Sequence, residues 1–68
     1  MKPISGDKII MKQGQSVPMW LDGFAGYVIN VYHKSVSVRV PVNDERITRV
    51  SFKDIKCIES SYLKINNI

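Results

Sequence analysis

The sequence predicts a small all-β domain, and three observations support this fold class. Valine and isoleucine dominate the apolar residues, with eight valines and nine isoleucines against two leucines and one alanine. Branched side chains lose rotamer freedom on a helix and pack well on a pleated sheet. No window repeats apolar residues at the helical spacing of three and four positions, whereas residues 36–42 carry a valine at every second position. Together these patterns favour short strands joined by turns.

The length of the chain bounds its organisation. With 68 residues there is room for one hydrophobic core, which we expect over about residues 7–58. Residues 59–68 then add an extra edge strand or a tail. No stretch approaches the roughly 20 apolar residues of a membrane-spanning helix, and the charged residues within residues 1–12 argue against a secretory signal. We therefore expect a cytoplasmic protein with no membrane partner.

The elements follow from apolar runs and from the turn residues between them. In order, they are a strand at 7–12, a long loop at 13–23, a strand at 26–32, a turn at 33–35, a strand at 36–42, a turn at 43–45, a strand at 46–52, a single helical turn at 53–55 and a strand at 56–58. We expect the Ser51 side chain to cap the helical turn by bonding back to the amide of Asp54.

The turn at 43–45 decides which side chains of the third and fourth strands face the core. A two-residue loop would place Arg49 opposite Val38 in the core, whereas a three-residue loop places Val50 there instead. We prefer the three-residue loop because it buries the apolar set of both strands, with Val38 opposite Val50 and Val36 opposite Phe52. This register also predicts that Arg39 and Arg49 are directly opposed on the outer face. Like charges in that position repel, unless an anion lies between them.

The second strand admits two arrangements. Regular pairing across the turn at 33–35 directs Tyr27, Ile29 and Val31 towards the core and leaves Val28 outside. A β-bulge or a sharp bend would instead let Val28 and Val31 both face inward, as the closure of a barrel often requires. The sequence by itself favours neither arrangement.

Two stretches of the chain resemble a known structural class. The run Gly-Tyr-Val-Ile-Asn-Val at 26–31, followed by Val-Ser-Val-Arg-Val at 36–40, resembles the glycine-and-valine core of KOW-type domains. Residues 49–55 resemble the strand-then-turn ending of Src-homology-3-like barrels. The resemblance covers roughly residues 7–58 and implies a small five-stranded Src-homology-3-like barrel. KOW-type members of this class are known from ribosomal and transcription-elongation proteins.

Charge and aromatic residues give the leading functional hypothesis. The net charge of +4 favours polyanions, although it also fits ordinary solubility. The residues expected to converge on the outer face of the second to fourth strands are Lys34, Arg39, Arg49, Lys53 and Tyr32, with Tyr27 as a further candidate. Arginine donates forked hydrogen bonds to phosphate, and an aromatic ring stacks on a base. This face is therefore either a nucleic-acid site that contacts mainly phosphate, or an ordinary solvated surface.

Three apolar residues in the long loop, Met19, Trp20 and Leu21, give a competing hypothesis. Either Trp20 folds over the mouth of the barrel and completes the core, or the three residues form an exposed patch that docks on a protein. In the second case the chain is a protein-interaction module or a small inhibitor of a larger enzyme or complex. Such a module would dock through this loop or through an edge strand of the barrel.

No residue pattern indicates catalysis, a metal site or a cofactor. His33 is the only histidine and lies in a predicted turn, whereas a general base needs a partner group and an oriented substrate. Cys57 is the only cysteine, so it forms no internal disulfide, and we expect it to be buried as a small apolar side chain. One histidine and one cysteine do not supply the ligands of a typical metal centre. We therefore expect a binding protein rather than an enzyme.

Overall fold

A single antiparallel sheet organises residues 2–42 and 46–59, which are the residues that the computed structural model describes. Its strands are β1 (Lys8–Met11), β2 (Ala25–Val31), β3 (Ser35–Val40), β4 (Arg46–Ser51) and β5 (Ile55–Glu59). Two short turns of 3-10 helix accompany them, the first at Met19–Leu21 and the second at Phe52–Asp54. The all-β prediction is confirmed, and each predicted strand is present. The predicted turn at 43–45 and the segment 60–68 lie outside the described residues.

The strands lie in the order β4-β3-β2-β1-β5, so the first four form a meander and β5 returns beside β1. Within the described ranges β4 and β5 are the two edges of the sheet, and closure into a barrel stays a prediction. The second 3-10 turn carries the chain from one edge towards the other. The N–H of Phe52 donates to the carbonyl of Lys34 at 3.0 Å, and the carbonyl of Asp54 accepts from the N–H of Lys12 at 2.9 Å.

The core lies on one face of the sheet because β3 buries every second residue. The valines predicted to point inward, Val36, Val38, Val40 and Val50, are all fully buried, which confirms their predicted orientation. Val42 is half-buried and packs against this cluster. The predicted register is wrong by two residues, however, since Val50 pairs with Val36 rather than with Val38. A shift of two residues leaves every side chain on its face, and for this reason the error in register does not disturb the core.

Pro41 explains why the register is shifted. Val40 pairs with Arg46, so the ladder between β3 and β4 ends one residue before the proline and the connection spans residues 41–45. Proline has no N–H to donate to a neighbouring strand, which makes it a natural end for β3. The strand was predicted to continue to residue 42, where the apolar alternation ends, but alternation carries no information about a missing donor.

A β-bulge in β2 resolves the two arrangements left open for this strand. Val28 pairs with Val38 and Asn30 pairs with Ser37, so Ile29 is an extra residue with no partner in β3. The bulge directs Val28 into the core, where it is buried. Val31 also turns towards the core side but lies at the end of β2, where it is 40% exposed.

The long loop folds across one end of the core and contributes two apolar side chains to it. Val17 and Leu21 are both buried in the cluster formed by the strands. Leu21 therefore plugs the core and is not part of a docking patch, which corrects its assignment as a protein-binding residue. Trp20 is 51% exposed, so of its two alternatives the one in which its ring completes the core is wrong. A turn of 3-10 helix has about three residues per turn, and adjacent side chains consequently point in different directions.

Candidate nucleic-acid interface

Two arginine–tyrosine stacks lie on the outer face, by which we mean the side of β2, β3 and β4 that points away from the core. The guanidinium carbon of Arg49 lies 4.1 Å from the ring centroid of Tyr32, and that of Arg39 lies 5.9 Å from the ring centroid of Tyr27. A guanidinium in this position is attracted by the negative face of the ring. The tyrosines are 40% and 38% exposed, so part of each residue remains open to a ligand.

The ladder of the sheet fixes the relative positions of these groups. Tyr27 pairs with Arg39, which pairs in turn with Ile47, while Arg49 pairs with Ser37 in the next row. Arg39 and Arg49 are therefore diagonal neighbours on adjacent strands, a placement in which the Cα atoms lie about 7–8 Å apart. The prediction that they are directly opposed is wrong, because the register is shifted by two residues. The diagonal placement keeps both on one face while it reduces their repulsion.

The bulge at Ile29 brings both tyrosines to the outer face. Tyr27 and Tyr32 are five positions apart, and a regular strand directs residues at odd separations to opposite faces. The extra residue in β2 reverses this parity. Tyr27 then pairs with Arg39, and the N–H of Tyr32 donates to the carbonyl of Ser35 at 2.8 Å, with the Tyr32 ring against Arg49. Tyr32 was predicted for this site and Tyr27 was a further candidate, but the sequence did not predict the bulge that places both rings on one face.

The two lysines predicted for this site differ in their surroundings. Lys34 is exposed in the turn between β2 and β3, two residues after Tyr32. Lys53 is exposed on the second 3-10 turn, and its Nζ donates to Oε1 of Gln15 at 3.1 Å, which directs it towards the long loop. The structure thus brings four of the candidate residues together in the two stacks and leaves the lysines at the periphery.

Of the acidic residues of the described ranges, Glu59 alone lies in a strand, β5, and it is on the same side of the sheet as the outer face. These acidic residues are Asp7, Asp22, Asp54 and Glu59, and none of them belongs to β2, β3 or β4. Asp7 and Asp54 are buried, Asp22 accepts a hydrogen bond from the backbone of the long loop, and Glu59 faces Lys8 across β5 and β1. Lys8 separates Glu59 from Tyr27 in this row, so the charged residues that β2, β3 and β4 themselves place on the outer face are Arg39 and Arg49.

A buried carboxylate joins the long loop to the second 3-10 turn, and no pattern in the sequence predicts this contact. Asp54 is 5% exposed, and its Oδ2 accepts hydrogen bonds from both the N–H and the hydroxyl of Ser16, at 2.9 and 2.5 Å. The Ser16 oxygen accepts in turn from the N–H of Ser51 at 2.9 Å. The predicted cap is therefore wrong, since the Ser51 side chain makes no capping bond within the described residues. We refer to Ser16, Ser51 and Asp54 as the clasp.

The clasp lowers the pKa of Asp54 and leaves room only for glycine at position 14. The hydrogen bonds from the side chain and then the backbone of Ser16 lower the pKa of Asp54; burial opposes this shift, and the charges of nearby lysines add to it. A Cβ on Gly14 would overlap Oδ1 of Asp54, so a larger residue there would displace the carboxylate. Ser16 and Asp54 are 38 positions apart, so no local sequence pattern predicts the hydrogen bonds between them.

A separate aromatic corner lies at the start of β4. The guanidinium carbon of Arg46 lies 5.1 Å from the ring centroid of Trp20. Arg46 pairs with Val40 and so projects to the core side of the sheet, opposite to the outer face. Met19 and Trp20 are both exposed here, and they are the part of the predicted docking patch that reaches solvent.

We expect Trp20→Ala to lower the free energy of unfolding by less than about 1 kcal/mol, since the side chain is half in water and its stack on Arg46 is exposed. Leu21→Ala is the matched control from the neighbouring position, and its loss of buried contacts should cost about 2–4 kcal/mol. Urea unfolding followed by circular dichroism measures both values. A larger loss for Trp20→Ala than for Leu21→Ala would return the Trp20 ring to the core.

The remaining candidates are isolated on the surface. His33 is exposed in the turn after β2, as expected. Cys57 is exposed, so its predicted burial is wrong. Cys57 pairs with Ile10 while Ile58 pairs with the buried Ile9, and alternation along β5 accordingly directs Cys57 away from the core. Among the described residues there is no group of three potential metal ligands and no helix able to cross a membrane.

No protein-family model, curated protein or solved structure matches this chain. The resemblance to Src-homology-3-like and KOW-type domains thus has no support from relatives. What stands is the coarser description, a small five-stranded antiparallel sheet with a short helical turn before its last strand.

Proposed function

We propose that this chain is a non-enzymatic module that binds nucleic acid through the outer face of β2, β3 and β4. The observation that carries the proposal is the pair of exposed arginine–tyrosine stacks, Arg39 on Tyr27 and Arg49 on Tyr32. Stacking occupies the face of a guanidinium, whereas its N–H donors lie in the plane of the group and match the oxygens of a phosphate. No acidic residue of the described ranges belongs to β2, β3 or β4, which favours a polyanion at this face.

The proposed contacts imply a particular kind of binding. Phosphate contacts orient a protein on nucleic acid but carry no sequence information, so we expect weak sequence preference. They also release counterions, and the affinity should fall as salt rises, with a slope of about −0.7 per phosphate contacted on a single strand. With two stacked arginines and Lys34 at the border, the slope should correspond to two or three contacts.

We also propose that the domain is a Src-homology-3-like barrel, of the KOW type, that acts in the cytoplasm. The meander of β1 to β4, the return of β5 beside β1 and the helical turn before β5 support this class of fold. The second 3-10 turn joins the end of β4 to the start of β5 through three residues and would hold these two edges near each other. In this arrangement the outer face of β2 to β4 is the exterior of the barrel.

A pair of single substitutions in β4 tests the proposed function. Arg49→Gln removes one positive charge from the outer face, and Arg46→Gln removes the same charge from the aromatic corner on the other side of the strand. We expect Arg49→Gln to weaken binding of a fluorescein-labelled oligonucleotide about threefold to tenfold and to reduce the salt slope by about one contact. Arg46→Gln should bind as the wild type does. Fluorescence anisotropy at several salt concentrations measures both quantities.

Two results would contradict the proposal. Equal losses for Arg46→Gln and Arg49→Gln would mean that net charge acts without a defined site. A wild-type protein that binds no oligonucleotide at low salt would remove nucleic acid as the ligand.

The exposed side chains of Met19 and Trp20, at the aromatic corner, support a second candidate function, a protein-interaction module or small inhibitor. A tryptophan with half of its surface in water and a methionine beside it form the kind of patch that anchors protein partners. In this case capture of a protein from a nuclease-treated lysate should require Trp20 and be insensitive to Arg49→Gln. Capture that disappears with nuclease treatment would instead favour the outer face.

A further inference from the structure

We infer that the outer face takes single-stranded nucleic acid, with unpaired bases laid against the sheet, in preference to duplex. This inference rests on the proposed function and specifies the ligand of the same site. It follows from three properties of the face: the chemistry of its exposed rings, its shape, and the polar groups that lie between the two stacks.

The exposed rings can contact the faces of bases only if the bases are unpaired. Tyr27 and Tyr32 keep about two fifths of their surface accessible although an arginine lies against each. In a duplex the faces of the bases are covered by their neighbours in the stack, and a protein outside it meets phosphates, sugars and base edges. A single strand presents whole base faces, on which an aromatic ring or a guanidinium plane can stack.

The shape of the face favours a single strand over the major groove of a duplex. The major groove of a duplex is read by an α-helix or a two-stranded ribbon that projects into it. In the described ranges the helical elements are two single 3-10 turns, and the outer face consists of three adjacent strands, β2, β3 and β4. A three-stranded surface meets a rod-like duplex along a narrow line, whereas a flexible single strand can follow the sheet.

The polar groups between the stacks complete the site. Along β3 the outer face presents Arg39, Ser37 and Ser35, with Tyr27 beside the first and Tyr32 beside the last. The two ends of this run are about 13 Å apart, from four residues at 3.3 Å each. Asn30, paired with Ser37, lies between them. Its amide and the serine hydroxyl both donate and accept, which suits the edges of unpaired bases over two or three nucleotides.

The experiment compares three labelled probes of the same length and label by fluorescence anisotropy: a 12-nucleotide oligouridylate, a 12-base-pair RNA duplex, and a 12-unit abasic ribose-phosphate chain. We expect the wild-type protein to bind the oligouridylate at least tenfold more tightly than either of the others at the same salt concentration. The abasic chain has the same backbone charges and no bases. It therefore isolates stacking without any change to the protein.

Substitutions of the two tyrosines assign the preference to the outer face. Tyr27→Leu with Tyr32→Leu should reduce binding of the oligouridylate about tenfold and binding of the abasic chain by no more than about twofold, because the arginines that contact phosphate remain. Tyr27→Phe with Tyr32→Phe retains the rings without their hydroxyls and should bind as the wild type does. Circular dichroism checks that each variant is folded.

The outcomes separate this inference from the proposed function. If the duplex or the abasic chain binds as tightly as the oligouridylate, the inference is wrong. The proposed function still stands in that case if Arg49→Gln weakens binding of the oligouridylate and of that second probe. If none of the three probes binds at low salt, both are wrong. Should the leucine variant fail to fold, the comparison of the three probes on the wild-type protein still decides the inference.

Discussion

Asp54→Ala is expected to lower the free energy of unfolding by about 3 kcal/mol, because it leaves the N–H and the hydroxyl of Ser16 without the acceptor that they share. A chain of this length has a total stability of only about 3–10 kcal/mol. The substitution would therefore remove a large part of it and release the long loop from the second 3-10 turn. Urea unfolding followed by circular dichroism measures the change.

Two further substitutions define this effect. Gly14→Ala forces a Cβ onto Oδ1 of Asp54 and should destabilise the protein by the same mechanism, so its effect should be small in the Asp54→Ala background. Asp22→Ala removes an exposed carboxylate of the same loop that accepts one backbone N–H, and should cost about 1 kcal/mol or less. If Asp22→Ala costs as much as Asp54→Ala, burial of the clasp is not the reason for the effect.

The pH dependence of the clasp follows from the direction of its pKa shift. The pKa of Asp54 in the folded protein is lower than its ordinary value of 3.8, so the charged form is stabilised by folding. This contribution is fully present above the unfolded pKa and is lost as the pH falls through the folded pKa. The wild-type protein should therefore lose stability relative to Asp54→Asn below about pH 4. A stability difference between the two proteins that is independent of pH in this range would contradict the assignment.

Val38→Ala is expected to lower the free energy of unfolding by about 2–3 kcal/mol. Val38 is fully buried in the middle of β3 and pairs with Val28 on one side and Thr48 on the other. Removal of two methyl groups loses their transfer free energy and leaves a cavity that the flanking strands close only in part. Thermal and urea unfolding measure the loss, which should appear as a lower midpoint with an unchanged denaturant slope.

Val31→Ala is the matched control for this prediction. Both valines lie in adjacent strands on the core side of the sheet, but Val31 lies at the end of β2 and is 40% exposed. Its substitution should cost well under 1 kcal/mol. Equal losses at the two positions would mean that β3 is not the centre of the core, and with it the assignment of the outer face would fail.

Local patterns in the sequence were sufficient for the strands and for the inward direction of β3. The alternation of Val36, Val38 and Val40 is a property of consecutive residues, and a strand turns consecutive residues to opposite faces wherever it lies in a sheet. The same parity placed Arg39 and Arg49 together on the outer face. These features depend only on which face a residue occupies, so they survived a register error of two residues.

Tertiary structure decided the features that depend on partners distant in sequence. A bulge at Ile29 placed both tyrosines on the face of the arginines, and the missing donor of Pro41 set where the ladder of β3 and β4 ends. Ser16 and Asp54 form hydrogen bonds although they are 38 positions apart, and Leu21 rather than Trp20 is buried in the core. In each case the chain selected the arrangement that buries apolar surface and satisfies buried polar groups at once. Alternation along a strand depends only on neighbouring residues. The bulge, the end of the ladder and the Ser16–Asp54 contact depend on residues that meet only when the whole sheet has assembled.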